Sequence, residues 1–200
     1  MLHPHFATAL ILMLTLFIFT GCRKDDDPEP PKVYQEESPM QGFLSTIGYN
    51  TQYTKINDFV AWNLGLNFTP LVKGKINGVK VKLPAANPAL KVTIWDAASG
   101  TNIRTETVNV AAASTLYTFT FSPVELEKDK KYIISFLSDD FYGYKKSNSA
   151  DGAFPVTVGN IRIDKTSYKS AGTGTNPVFP AESESYTAYG DLDMIFQQIP

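Results

Sequence analysis

Cysteine and histidine are nearly missing from this chain. One residue in 200 is cysteine, Cys22, so no intrachain disulfide can form. The two histidines, His3 and His5, both lie in an N-terminal stretch that reads as a removable leader. Without that stretch the chain has no imidazole, which excludes Ser-His-Asp and Cys-His catalysis, a histidine general base and histidine-ligated zinc. A basic field is lacking as well. Eighteen Lys and Arg face 20 Asp and Glu, for a net charge of -2. The lysines stand singly along the chain, so nothing is gathered to neutralise a phosphate backbone, and a nucleic-acid partner is excluded. No phosphate-cradling glycine loop or nucleophile elbow occurs. Glu106, Glu125, Glu127, Asp139 and Asp140 are present, but nothing pairs two of them for glycoside cleavage. The expectation is a protein that is not an enzyme.

What the first forty residues do contain is an address. Phe6–Phe19 is apolar apart from Thr8 and Thr15, too short to span a membrane but suited to the core of a signal peptide. It ends in Phe19-Thr20-Gly21-Cys22, which resembles the lipobox of bacterial lipoproteins. That resemblance implies a leader over 1–21, removed before Cys22, and acyl chains on Cys22 that hold the protein to a membrane. Each buried methylene contributes about 0.8 kcal/mol, so several chains on one residue anchor durably where one would not. Residues 22–38 follow as an acidic, proline-rich tether that opens Arg23-Lys24-Asp25-Asp26-Asp27. An acidic triplet directly behind the anchor resembles the export signal with which some Gram-negative lineages place lipoproteins on the outer face. The implied location is the outer membrane, facing the cell exterior.

The chain as a whole holds 13 Pro, 13 Gly, 10 Tyr and 13 Phe, and from residue 39 onward it is rich in strand and turn signals. Val79, Val81 and Leu83 alternate with Lys80 and Lys82; Leu90, Val92 and Ile94 repeat the pattern after Pro84 and Pro88. Trp62, Leu64, Leu66 and Phe68 alternate up to Pro70, and Tyr117, Phe119 and Phe121 alternate with Thr118 and Thr120. Lys130–Ser138 is apolar on both faces and reads as a central strand, while Asn102–Val110 reads as an edge. Asn77-Gly78 admits a hairpin turn or a bulge within one strand, and the weak flank before it favours the bulge. A short strand is expected over Phe43–Ile47, a closing strand over Asp191–Gln198, and a loop-rich region over 139–189. About eight antiparallel strands over 39–200 predict a single all-β domain, a β-sandwich of jelly-roll type.

The same stretch resembles a family of domains of unknown function found in bacterial surface and secreted proteins. The shared features are Gly65, Phe68 and Thr69 in one strand, Gly78, Val79 and Val81 in the next, then Ile94, Trp95 and Asp96. Phe121, Pro123, Val124 and Leu126 lead to Tyr132, and Gly190, Leu192, Met194 and Phe196 close the pattern. The resemblance implies a β-sandwich with a non-catalytic role, adhesion or carbohydrate binding.

Three groups of residues could meet a ligand. Trp95-Asp96 could stack and hydrogen-bond a sugar, or cap the sandwich and open the turn at Ala97–Gly100; the strand-end position favours the structural role. Tyr142, Tyr144, Tyr186 and Tyr189 lie among Asn, Asp, Ser and Gly, as a sugar-binding surface requires. Buried, the same rings would simply cover sheet edges. Asp139, Asp140, Asp191 and Asp193 could supply oxygens to calcium pinning the loops; no other cofactor is expected. The leading expectation is a surface lipoprotein binding glycan or another extracellular ligand. The alternative is an accessory lipoprotein docking to a partner protein in an envelope or pilus-like assembly.

Overall fold

Alternation over 64–137 does become paired strands. In a computed structural model, which describes residues 32–56, 59–189 and 191–200, fourteen strands and one helix are arranged in three sheets. The expected leader, Cys22 and the first part of the tether lie outside the described residues. The folded unit runs Val33–Pro200 and takes in the end of the expected tether.

The smaller face of the sandwich is a four-stranded sheet in the order β1 (Glu36–Glu37), β14 (Asp191–Gln198), β4 (Gly74–Lys82) and β7 (Tyr117–Leu126). The larger runs β10 (Val156–Val158), β11 (Ile161–Gly172), β3 (Ala61–Pro70), β8 (Tyr132–Ser138), β5 (Asn87–Asp96) and β6 (Asn102–Val110). β12 (Glu182–Glu184) adds to it beside β11. A third sheet orders β13 (Ala188–Tyr189), β9 (Phe141–Lys145) and β2 (Thr51–Lys55). Every pairing is antiparallel.

The core forms where the alternating apolar rows stand opposite one another. Leu64 faces Phe136, Leu66 faces Ile134 and Phe68 faces Tyr132 across β3 and β8. Val92 and Ile94 of β5 continue the first two rows. On the other sheet Leu192 pairs with Val81 and Met194 with Val79. All of these side chains are buried, and each contributes about 1.5–3 kcal/mol relative to exposure. β8, expected to be central, is buried at all seven positions and lies between β3 and β5. β6, poorly alternating and polar in sequence, is the edge strand expected of it.

Asn77-Gly78 is a bulge inside one continuous strand: β4 runs through it, and its register with β7 shifts between Ile76 and Gly78. Two expectations are corrected. Phe43–Ile47 belongs to a helix, α1 (Met40–Ile47), because Met40, Phe43, Leu44 and Ile47 recur at helical spacing and are all buried. Gly48, at φ 80°, ends it in the left-handed conformation that glycine adopts without strain. Residues 139–189 are about half strand, since β9 to β13 lie among their loops and include the 12-residue β11. β11 escapes detection because its register shifts between Ile163 and Lys165, changing the phase of its alternation, and because polar Thr166 occupies a fully buried position. Such short or irregular strands account for the excess over about eight.

Candidate functional site

Two-residue periodicity decides which aromatic side chains of the small sheet can meet. Tyr189 of β13 stands opposite Gly143 of β9, which stands opposite Tyr53 of β2. Phe141, two residues from Gly143, shares its face of β9 and pairs with Lys55. A Cβ at position 143 would run into the Tyr53 ring, so glycine is what lets that ring lie across the strand.

This face meets Trp62 and Leu64 of β3 and Tyr168 of β11 to enclose a cleft of about 270 Å³. Glu184, the last residue of β12, and Tyr186, in the connection on to β13, line it, and exposed Lys55 stands on its lining. Its aromatic rings form a continuous series. Trp62 and Tyr168 have centroids 6.3 Å apart, Tyr168 and Tyr189 5.8 Å, and Tyr189 and Phe141 5.9 Å. The last two contacts are edge-to-face, the geometry that aromatic quadrupoles favour.

The connection carrying Glu184 and Tyr186 is pinned from beneath. Buried Thr166 places its Oγ1 2.8 Å from the Glu184 carbonyl oxygen and 2.9 Å from that of Thr187. Tyr49 Oη and the Gly152 amide each donate to the Ser185 carbonyl at 2.5 Å. The side chains at 184 and 186 therefore project from a backbone with fixed polar contacts.

Glu184 raises three phenols of the cleft, with burial the larger cause for two of them. A hydrogen bond to its carboxylate, with partial burial and its charge, pushes the Tyr186 phenol up to about 12. Burial first, and then Glu184, push Tyr189 up as well. Tyr53 is raised chiefly by burial, with Glu184 adding and a hydrogen bond from Thr187 opposing. All three phenols stay neutral at physiological pH and keep their hydroxyl donors. One carboxylate oxygen, Glu184 Oε1, is buried with no hydrogen-bond partner.

Only part of the expected tyrosine set meets here. Tyr186 and Tyr189 line the cleft, but Tyr142 and Tyr144 alternate onto the opposite face of β9. Tyr142 is buried, pairs its hydroxyl with Ser114 Oγ at 2.8 Å and lies beneath Lys82 Nζ, 5.2 Å from the ring centroid. Tyr144 donates to Asp191, and burial followed by that bond pushes its phenol well up. Trp95 is buried too, with Nε1 donating to Ser135 Oγ at 2.9 Å and Phe179 packed edge-on at 5.8 Å. Asp96 accepts from the Ala98 and Ser99 amides at 2.9 and 3.0 Å and pairs with Lys130 at 3.1 Å. The Ser99 amide and Lys130 bonds hold its carboxyl at about 2. This is the structural role anticipated for Trp95-Asp96.

The four aspartates are not gathered into a calcium site. Asp191 pairs with Lys82 at 3.0 Å, and Asp193 accepts from the Met40 amide at 3.1 Å. Among the described residues no three His, Cys, Asp or Glu side chains come together to hold a metal. Tyr53, Trp62, Phe141 and Glu184 are the cleft residues that sequence reasoning missed. Trp62 at the start of an alternating strand and the lone glycine in Phe-Tyr-Gly-Tyr were the available signals, but neither identifies a partner strand.

The family model for a domain of unknown function (DUF4082) matches residues 50–190. That span contains every residue of the cleft from Tyr53 to Tyr189. No curated protein matches the chain.

Proposed function

Because the chain belongs to the DUF4082 family, whose function is unknown, we infer its role from its own site. We propose that it is a non-catalytic, lipid-anchored protein of the outer membrane, facing outward and binding glycan units in the aromatic cleft. The observation that carries this is the series Trp62, Tyr168, Tyr189 and Phe141 lining an open cavity with Glu184 and Tyr186 beside it. Flat aromatic faces take the apolar face of a sugar, and phenol and carboxylate oxygens take its hydroxyls. The cavity, about 270 Å³, lies just below the ~300–1,000 Å³ typical of drug-sized ligands, as suits a single sugar unit. Among the described residues the lining holds a single carboxylate, Glu184, where glycoside cleavage uses an opposed pair.

Cys22, behind its apolar run and ahead of the acidic triplet, supports the anchor and its direction. A glycan array probed with the wild type and with Tyr189→Ala tests the binding role. Retention of a defined glycan class by the wild type and its loss in the variant are expected; equal retention by both would remove the cleft from the account. Protease treatment of intact cells tests the location, and complete protection of the protein would contradict outward display.

A further inference from the structure

The cleft contains a polar atom that its own side chains leave unsatisfied. Glu184 Oε1 is buried without a donor. A buried acceptor in that condition costs about 1–3 kcal/mol, more when charged, unless something else donates to it. The surrounding rings present electron-rich faces that favour positive charge, most of all the indole of Trp62. Lys55, the one cation on the lining among the described residues, is exposed and already has a partner. The nearby phenols are held neutral, Tyr186 at about 12, so they add no competing anion.

A carboxylate that already takes phenol hydrogen bonds, beside aromatic faces, matches a cation that carries N–H groups. A quaternary ammonium would satisfy the rings but not the oxygen, because it has no hydrogen to donate. A neutral hydroxyl would satisfy the oxygen but gain nothing from the charge. Given the binding role proposed above, on which this depends, we infer that the cleft selects a sugar unit bearing a protonated primary amine. The ammonium pairs with the Glu184 carboxylate while the ring lies against the Trp62, Tyr168 and Tyr189 wall.

The test is a calorimetric titration of the mature, lipidated protein in detergent micelles at mildly acidic pH. Three probes are used: a β-1,4-linked glucosamine tetramer, its fully N-acetylated counterpart and butylamine. Acetylation removes the charge while keeping the ring and linkage, so the free-amine tetramer is expected to bind at least about tenfold more tightly than the acetylated one. Butylamine is expected to bind far more weakly than either. Glu184→Gln, which keeps the side chain's shape, should erase the tenfold preference. Equal or tighter binding of the acetylated tetramer would overturn the charge selection while leaving glycan binding intact. Butylamine binding as tightly as the free-amine tetramer would overturn the sugar, and binding of neither tetramer would overturn both the selection and the binding role. The wild-type comparison stands without the variant, so a misfolded Glu184→Gln cannot shield the inference.

Discussion

Two places in this molecule bring a tryptophan and a carboxylate near each other, and they have opposite fates. At the end of β5, Trp95 is covered by Phe179, its N–H is taken by Ser135, and Asp96 is satisfied by two amides and Lys130. In the cleft, Trp62 and its neighbouring tyrosines line open space, and Glu184 keeps an oxygen with no donor. The residue types are alike; coverage and hydrogen-bond completion separate them. A pair whose polar atoms are all spoken for stabilises a fold, whereas one left incomplete beside a cavity has capacity for a ligand.

Swapping the tryptophans should break that contrast most sharply. Trp95→Ala removes a buried indole and strands Ser135 Oγ, for an expected loss of about 3–5 kcal/mol in a urea unfolding curve. Trp62→Ala, at a half-buried position, should cost less than half as much and abolish glycan binding. Equal destabilisation by the two, with binding unchanged in both, would erase the distinction.

The shape of the cleft can be attacked without touching its walls. Gly143→Ala puts a methyl group into the Tyr53 ring and should cost about 1–3 kcal/mol through overpacking. It should also weaken ligand binding by at least about tenfold, a change of about 1.4 kcal/mol. Thr166→Val keeps volume but removes the single O–H that the Glu184 and Thr187 carbonyls share, with an expected cost of about 1–3 kcal/mol. A crystal structure of that variant should show the 184–187 connection displaced. An unchanged connection would mean that Tyr49 and Gly152 suffice to hold it.

The smallest effects are electrostatic, and two carboxylates give them opposite signs. Asp96 sits at about 2, below its ordinary 3.8, so its contribution to stability is present above 3.8 and lost as pH falls through about 2. Burial raises Asp193 from 3.8 to about 6, so the folded state holds its proton more tightly than the unfolded chain. Its contribution is complete below 3.8 and is lost as pH rises through about 6. Asp193→Asn should flatten the pH dependence of unfolding between those values, while Asp96→Asn should alter only the acid limb. An unchanged profile in Asp193→Asn would show that its carboxyl is not desolvated.

The sandwich was legible wherever one strand face is apolar and the other polar, as in Val79-Lys80-Val81-Lys82. It faded where the pattern is interrupted from within. β11 changes phase at its bulge and buries Thr166, and α1 is too short for its helical spacing to stand out from four apolar residues. The site was legible only in part. Tyr186 and Tyr189 declare themselves by their polar company, but Phe141-Tyr142-Gly143-Tyr144 does not say which of its alternating faces meets another strand. Tyr53 and Trp62 lie far from Glu184 in the chain, and they share a cavity only because β3 and β12 both pair with β11 and the sheet of β2 and β9 meets them there. Trp95-Asp96 shows the complementary limit, since its covering ring, Phe179, comes from a segment more than eighty residues further along.

The chain's two tryptophans allow the central contrast to be read optically. Trp95→Phe leaves Trp62 as the sole indole, and Trp62→Phe leaves Trp95. Each variant is titrated separately with the glucosamine tetramer and its N-acetylated counterpart while tryptophan emission is followed. The account predicts a saturable shift for at least one tetramer in Trp95→Phe and no shift in Trp62→Phe. A shift seen only when Trp95 is the reporter, or silence from Trp62 with both tetramers, would contradict it.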